Sequence, residues 1–250
     1  MRTRERMRRV DLSAGLVLAL LPLLALSART ARADALADLR AALERVPAGI
    51  PVRARVAIAR TDTEKEKPKG ERKGEAVVEH GPSGLSIHLD PAFLPKPGSK
   101  AERKARDEKT IRLDPGEALK LVDPGTELRQ MLDGATVVSD RPEAFEGRTV
   151  RTVVFRVAPD LDEEARKAIK RYDDVVTLRL DSDDLPFALD RTLDLKAKKL
   201  LISFTVSVRE SRRFARVAGR LVTSSAREES HSSGLGQENA STTRWSVTPL

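Results

Sequence analysis

Apolar residues recur at two spacings along this chain, and the change from one to the other marks out its elements. In DALADLRAALERV (34–46), Leu36, Leu39, Leu43 and Val46 fall at helical spacing, and Pro47 and Gly49 end the pattern. A short amphipathic helix is predicted there. The next run, VRARVAIAR, alternates: Val52, Ala54, Val56 and Ile58 face one way and Arg53, Arg55, Ala57 and Ala59 the other, as in a half-buried strand. GEAVVEH and GLSIHLD predict a hairpin about Gly81-Pro82, with Leu85, Ile87 and Leu89 on one face and Ser86, His88 and Asp90 on the other. Asp114-Pro115 and Asp123-Pro124 each set an N-capping carboxylate before a proline at the first helical position. Two short helices are expected, the second closed by Gly134. A further helix is predicted over 160–172, with Leu161, Ala165, Ala168, Ile169 and Tyr172 on its apolar face. Its acids Asp162, Glu163 and Glu164 stand in the first turn, where the helix dipole favours negative charge.

The rest alternates. ATVVSD, RTVRTVVFRV, VVTLRL, LPFALDRTLDLKA, KLLISFTVSV, RFARVAGRLVTSS and TTRWSVTPL follow one another with short polar joints, and GLGQENAS reads as a longer loop before the last. Val176, Leu178 and Leu180 share a face, as do Ile202, Phe204, Val206 and Val208. Consecutive strands with short joints make an antiparallel sheet with one face buried. The short helices must cover that face, so the expected class is α+β.

The first 33 residues stand outside this pattern. An arginine-rich start, an apolar run from Leu12 to Leu26 and Ala31-Arg32-Ala33 have the form of a secretory signal peptide cleaved near Ala33. The run is shorter than the ~20 apolar residues of a spanning helix. The expected mature protein is a single periplasmic domain over 34–250, with mobile charged loops at 62–73 and 95–111. The leader also accounts for much of the charge. It carries seven Arg against Glu5 and Asp11, which leaves 39 basic and 36 acidic residues and a formal +3 on the mature chain. Those charges are interleaved and aromatics are few, so no clustered basic face for nucleic acid is expected. With no cysteine the chain has neither a disulfide nor an acylation site, and core burial has to stabilise it.

Candidate chemistry concentrates in DSDDLPFALD, where Asp181, Asp183, Asp184 and Asp190 crowd around Pro186, with Asp194 beyond. A calcium loop needs a glycine at its sharp turn and a closing glutamate, and neither is placed for it. The reading is a turn whose Asp side chains accept from nearby backbone N–H groups, with Asp190 and Asp194 on the polar face of the next strand. His80, His88 and His231 have no metal-ligand or triad spacing and read as surface residues. No nucleophile, base or metal set stands out, so the expectation is a protein that is not an enzyme and holds no cofactor.

The order of parts, a short N-terminal helix, VRARVAIAR, GEAVVEHGPSGLSIHLD, a helical middle and VVTLRLDSDDLPFALDRTLDLKAKKLLISFTVSV, resembles the LolA-like superfamily of periplasmic proteins. That superfamily takes in outer-membrane lipoprotein carriers and the sensor domain of RseB. Asp181, Asp184, Leu185 and Pro186 match its turn between a strand ending in Asp and a strand of alternating charge. The resemblance implies a curved antiparallel β-sheet, an incomplete barrel, with short helices covering the concave face and an apolar cavity between. A lipid or acylated, lipoprotein-like ligand would occupy that cavity. Val56, Ile58, Leu85, Ile87, Leu178, Leu180, Ile202, Phe204 and Val206 are the candidate lining, although alternation alone does not separate lining from plain core. The alternative is a non-catalytic envelope sensor or interaction module on the same fold, which binds a protein partner through an edge strand or the charged loops.

Overall fold

The structure is a computed structural model of the chain that describes residues 35–47, 49–64, 67–90, 110–159, 163–199 and 202–250. The leader predicted at 1–33 and nearly all of the loop predicted at 95–111 lie outside the described residues. Helix α1 spans 35–44. Strands β1 (Val52–Glu64), β2 (Lys67–Pro68), β3 (Arg72–Gly81) and β4 (Gly84–Leu89) follow, then helices α2 (Pro115–Val122) and α3 (Pro124–Asp133). β5 (Ala135–Phe145) and β6 (Arg148–Val157) lead to α4 (Glu163–Ala168), and β7 (Ile169–Leu180), β8 (Pro186–Lys199), β9 (Ile202–Val217), β10 (Arg220–Gly234) and β11 (Gln237–Pro249) complete the chain. Among the described residues no helix is long and apolar enough to cross a membrane.

All the strands join one open antiparallel sheet in the order β4-β3-β1-β11-β10-β9-β8-β7-β6-β5, with β2 paired to β1 off this path. From β5 to β11 each strand pairs with its successor, and β11 returns to lie beside β1. The register fixes which side chains share a face, because directly paired residues point the same way. One row runs Ile58–Trp245–Ala226–Arg212–Leu189–Leu178–Val153 across seven strands, and every member is buried. This row defines the inner face.

Two apolar clusters form on it. In one, Ala35, Leu39 and Leu43 of α1 and Leu128, Met131 and Leu132 of α3 meet Val153, Phe155, Val176, Leu178, Leu180 and Leu189. In the other, Ala118, Leu121 and Val122 of α2 meet Val52, Ala54, Val56, Ile58, Ala76, Val78 and Val247. The Asp-Pro starts act unequally. Asp114 caps α2, its Oδ1 accepting from the Gly116 N–H at 2.8 Å. Asp123 makes no side-chain cap bond to α3 and accepts instead from the Thr126 hydroxyl at 2.9 Å.

Four expectations are corrected. The helix predicted over 160–172 ends at Ala168, since Ile169 pairs with Ala197 and Tyr172 with Leu195, so long-range pairing overrides a helical spacing that those residues also satisfy. ISFTVSV and the first five residues of RFARVAGRLVTSS belong to one strand, β9, and the loop expected over GLGQENAS reduces to the two-residue turn Leu235-Gly236, its other residues lying in β10 and β11. The stretch 62–73 is largely strand: Asp62 pairs with Ser241, Thr63 with Pro68 and Ala240, and Arg72 with Arg60. Among its described residues, Asp62 is paired with Arg60 and Arg72, Glu64 with Lys69 and Glu71 with Lys73.

Candidate functional site

The inner face changes character two residues beyond the buried row. The next row reads Arg60–Thr243–Glu228–Glu210–Arg191–Val176–Phe155, a belt with charges on four of the seven strands. Past it come Asp62–Ser241–Ser230–Val208–Leu193–Asp174, then Glu64–Asn239–Ser232–Val206–Leu195–Tyr172, then Gln237–Gly234–Phe204–Ala197. Neither apolar cluster includes a residue of these three outer rows. Long strands carry the sheet past the helices, so its inner face there presents an apolar strip on β8 and β9 beside a hydroxyl- and amide-bearing strip on β10 and β11. Leu193, Leu195, Val206 and Val208 are half-buried, and Phe204 is 38% exposed.

Burial and pairing shape the belt's electrostatics. Asp174, with none of its side chain exposed, accepts from Arg191 Nε at 2.9 Å and Nη2 at 2.7 Å, and from the Tyr172 hydroxyl at 3.1 Å. Burial, then the Asp174 charge and hydrogen bond, push the Tyr172 phenol up to about 12. Arg212, 4% exposed, donates to Glu210 and to Glu127 of α3. Burial alone would raise Glu127, but the Arg212 and Lys120 charges outweigh it and hold the carboxyl below its ordinary range. Glu228 goes the other way. Burial raises it first, and repulsion from Glu210 and Glu117 adds to that.

Three cavities border these rows. A chamber of about 770 Å3 lies over the β1–β11–β10 end, lined by Arg60, Asp62, Lys69, Arg72, Ser230 and Ser241 among others. A second of about 740 Å3 opens between α3 and the Tyr172, Asp174 and Arg191 side chains. A third, of about 90 Å3, sits between α2 and β9–β11. All three are lined in part by ionisable groups.

The nine predicted lining residues are not brought together. Val56 and Ile58 are buried in the cluster beneath α2, with Leu85 and Ile87 half-buried against it. Leu178 and Leu180 are buried in the other cluster, beneath α1 and α3. Ile202, Phe204 and Val206 lie past the belt, with Ile202 37% exposed. The Phe204 ring packs over Gly234, where a Cβ would come within 2.6 Å of Cδ1.

The aspartate cluster is a turn. Asp181 Oδ1 accepts from the Asp183 N–H at 2.8 Å and the Leu185 N–H at 3.0 Å, and Asp184 takes a left-handed φ of 60°. The surrounding arginines were not foreseen. Arg216 donates to Asp181 and Asp183, Arg179 pairs with Asp190, and Arg151 links Asp184 to Asp140 of β5 and Asp38 of α1. Of the histidines, His88 and His231 are exposed, while His80 is half-buried and its Nδ1 accepts from Arg220 Nη2 at 2.9 Å. Burial, then the Arg220 charge, lower its pKa and favour the neutral ring.

The belt itself escaped the sequence reading, although a signal for it exists. Arg191 interrupts Leu189 and Leu193 on one alternating face, and Glu210 and Arg212 interrupt Val208 and Phe214 on another. A charge inside an apolar stripe marks where the covered core ends.

Among known proteins, no family model matches this sequence and no curated protein does. A solved structure of MucB in complex with MucA(peri) aligns over 86% of this chain and 93% of its own, at 13% identity and a TM-score of 0.21. That score is too low to carry an activity or a partner across.

Proposed function

We propose that this chain is an exported, non-catalytic interaction module of the cell envelope that takes an extended segment of a protein partner on the inner face of its sheet, past the charged belt. Export to the periplasm rests on the leader read in residues 1–33. A single domain over 34–250, folded as a half-barrel with helices on its concave side, rests on the open strand order together with the LolA-like order of elements. The observation that carries the reading is the two-sided surface beyond the belt, with Leu193, Leu195, Val206 and Val208 beside Ser230, Ser232, Asn239 and Ser241. An extended peptide offers apolar side chains at alternate positions and amides between them, which suits both strips. An acyl chain suits only the first, and acyl-type pockets are predominantly apolar, whereas the three chambers here carry charges. A lipid or acylated ligand is the second reading, favoured by Ile202 and Phe204 at the exposed end of the apolar strip.

Peptides selected from a random library on the immobilised protein test the choice. They should compete with one another for a single surface and lose about tenfold or more in affinity against Val206→Asp. Peptides that bind Val206→Asp as well as wild type sink the docking face. A lipid mass retained in native mass spectrometry by wild type and lost from Val206→Asp puts the acyl ligand in the peptide's place.

A further inference from the structure

The two faces of the β1–β3 pair treat arginine differently. On the outer face Arg53 stands opposite Glu79 and pairs with it at 3.0 Å, and Arg55 reaches Glu75 at 3.1 Å. On the inner face, where the chamber of about 770 Å3 opens, Arg60 stands directly opposite Arg72. Like charges so placed repel. Asp62 accepts from Arg60 Nε at 2.8 Å and from Arg72 Nη2 at 2.6 Å, so two cations share one anion. Burial alone would raise the Asp62 carboxyl, but the two guanidiniums outweigh it and hold the group below its ordinary range. Among the described residues, no second carboxylate lies at ion-pair distance from either arginine. Nor do Arg60 Nη1 and Nη2 or Arg72 Nε and Nη1 donate to any of them. Both side chains line the chamber with 37% and 32% of their surface exposed, within reach of an incoming group. The third cation of the lining, Lys69, is paired with Glu64, which leaves three cations against two carboxylates.

The chamber lies in line with the docking face. The row Asp62–Ser241–Ser230–Val208–Leu193 runs from it, over two hydroxyls bonded to each other at 2.8 Å, onto the apolar strip. Three strand spacings separate β1 from β9, about 14 Å, which an extended chain covers in about four residues. We propose that the chamber seats an acidic side chain of the docked partner segment, whose carboxylate accepts from the remaining N–H groups of Arg60 and Arg72. That Asp or Glu stands about four residues from the apolar side chain packed on Val206 and Val208. Guanidinium donors match carboxylate geometry, a basic side chain meets repulsion here, and an apolar one meets hydroxyls and charges. The inference rests on the partner-docking reading and adds which side chain the partner carries and where.

The library peptides that lose affinity against Val206→Asp serve as probes. They should carry an Asp or Glu at that spacing, and replacing it by Asn or Gln should weaken binding by about tenfold. Arg72→Gln should cost the acidic peptide about as much and the amide peptide almost nothing, because both changes remove one contact. Undiminished binding of the amide peptide also shows that Arg72→Gln has kept the docking face. Added salt should weaken the acidic peptide more than the amide one. Acidic and amide peptides that bind alike, or that lose equally to Arg72→Gln, overturn this site and leave the docking face standing. So do Val206-dependent peptides with no acid at that spacing. Acidic peptides that need Arg72 yet bind Val206→Asp as well as wild type would instead overturn the docking face and leave an anion site alone.

Discussion

Asp174 accepts three hydrogen bonds with no part of its side chain exposed, and each of them constrains a neighbour. Two fix the Arg191 guanidinium across β7 and β8, and the third holds the Tyr172 hydroxyl. A buried carboxylate is tolerated only when paired and bonded in this way. Tyr172 is the one tyrosine in the chain, so near-ultraviolet absorbance against pH follows its ionisation directly. The transition should centre at about 12, and in Asp174→Asn it should fall toward the ordinary 10.0, with burial keeping part of the elevation. The sign for stability follows. Between those values the folded protein keeps a phenolic proton that the unfolded chain has released, so stability falls as pH rises through that window. Coincident titrations of wild type and Asp174→Asn would show that the Asp174 charge does not govern the phenol. The substitution should also cost about 3 kcal/mol in urea unfolding, because Arg191 loses the partner of both its bonds.

At the scale of elements, the long hairpins depend on three turns of one kind. Glu146-Gly147, Ala218-Gly219 and Leu235-Gly236 each link successive strands by two residues, with φ of 49° and 78°, 50° and 84°, and 54° and 72°. Positive φ at both central positions is the type I′ arrangement that matches strand twist and favours Asn-Gly. Alanine at the first position takes a conformation that L-residues other than glycine, Asn and Asp resist. Ala218 is exposed, so Ala218→Asn should fit without a clash and raise stability by up to about 1 kcal/mol. The urea midpoint should rise at constant m, and an unchanged or lower midpoint would mean that the turn is not strained. The same chemistry explains what the sequence concealed. Val52 to Ile58, the Gly81-Pro82 hairpin, both Asp-Pro helices and the Asp181 turn were legible because each carries its signal in neighbouring residues. The Ala218-Gly219 turn sits inside RFARVAGRLVTSS with an alanine where Asn or Asp would announce it, so a hairpin read as a single strand. Tyr172 was drawn into a helix because its strand partner, Leu195, is distant in sequence. The belt was hidden for the same reason, since four charges from β1, β8, β9 and β10 become one row only through pairing register.

Across the whole molecule the belt separates two regimes, a core that the helices help bury and an outer half whose strands carry the inner face on past them. Within that boundary most ionisable groups are matched: Arg60 and Arg72 on Asp62, Arg191 on Asp174, Arg212 between Glu127 and Glu210. Glu228 is not, and its elevated pKa means that the folded state holds its proton more readily than the unfolded chain does. At neutral pH the ionised carboxylate therefore lowers stability, and the loss is recovered as pH falls through the folded pKa toward the ordinary 4.5. Glu127 responds in the opposite sense. It stabilises at neutral pH, and that contribution is lost as pH falls through its depressed pKa. Because wild type and Glu228→Gln share Glu127, the difference between them isolates Glu228. Glu228→Gln should melt at a higher temperature than wild type at neutral pH, with the gain shrinking as the buffer is acidified and the wild-type carboxyl becomes neutral as well. A variant no more stable at neutral pH, or a gain that persists unchanged in acid, would mean that Glu228 is not held at a cost. The expected outcome, greater stability when this half-buried carboxylate is made neutral, would mark Glu228 as a charge that the fold carries at a cost.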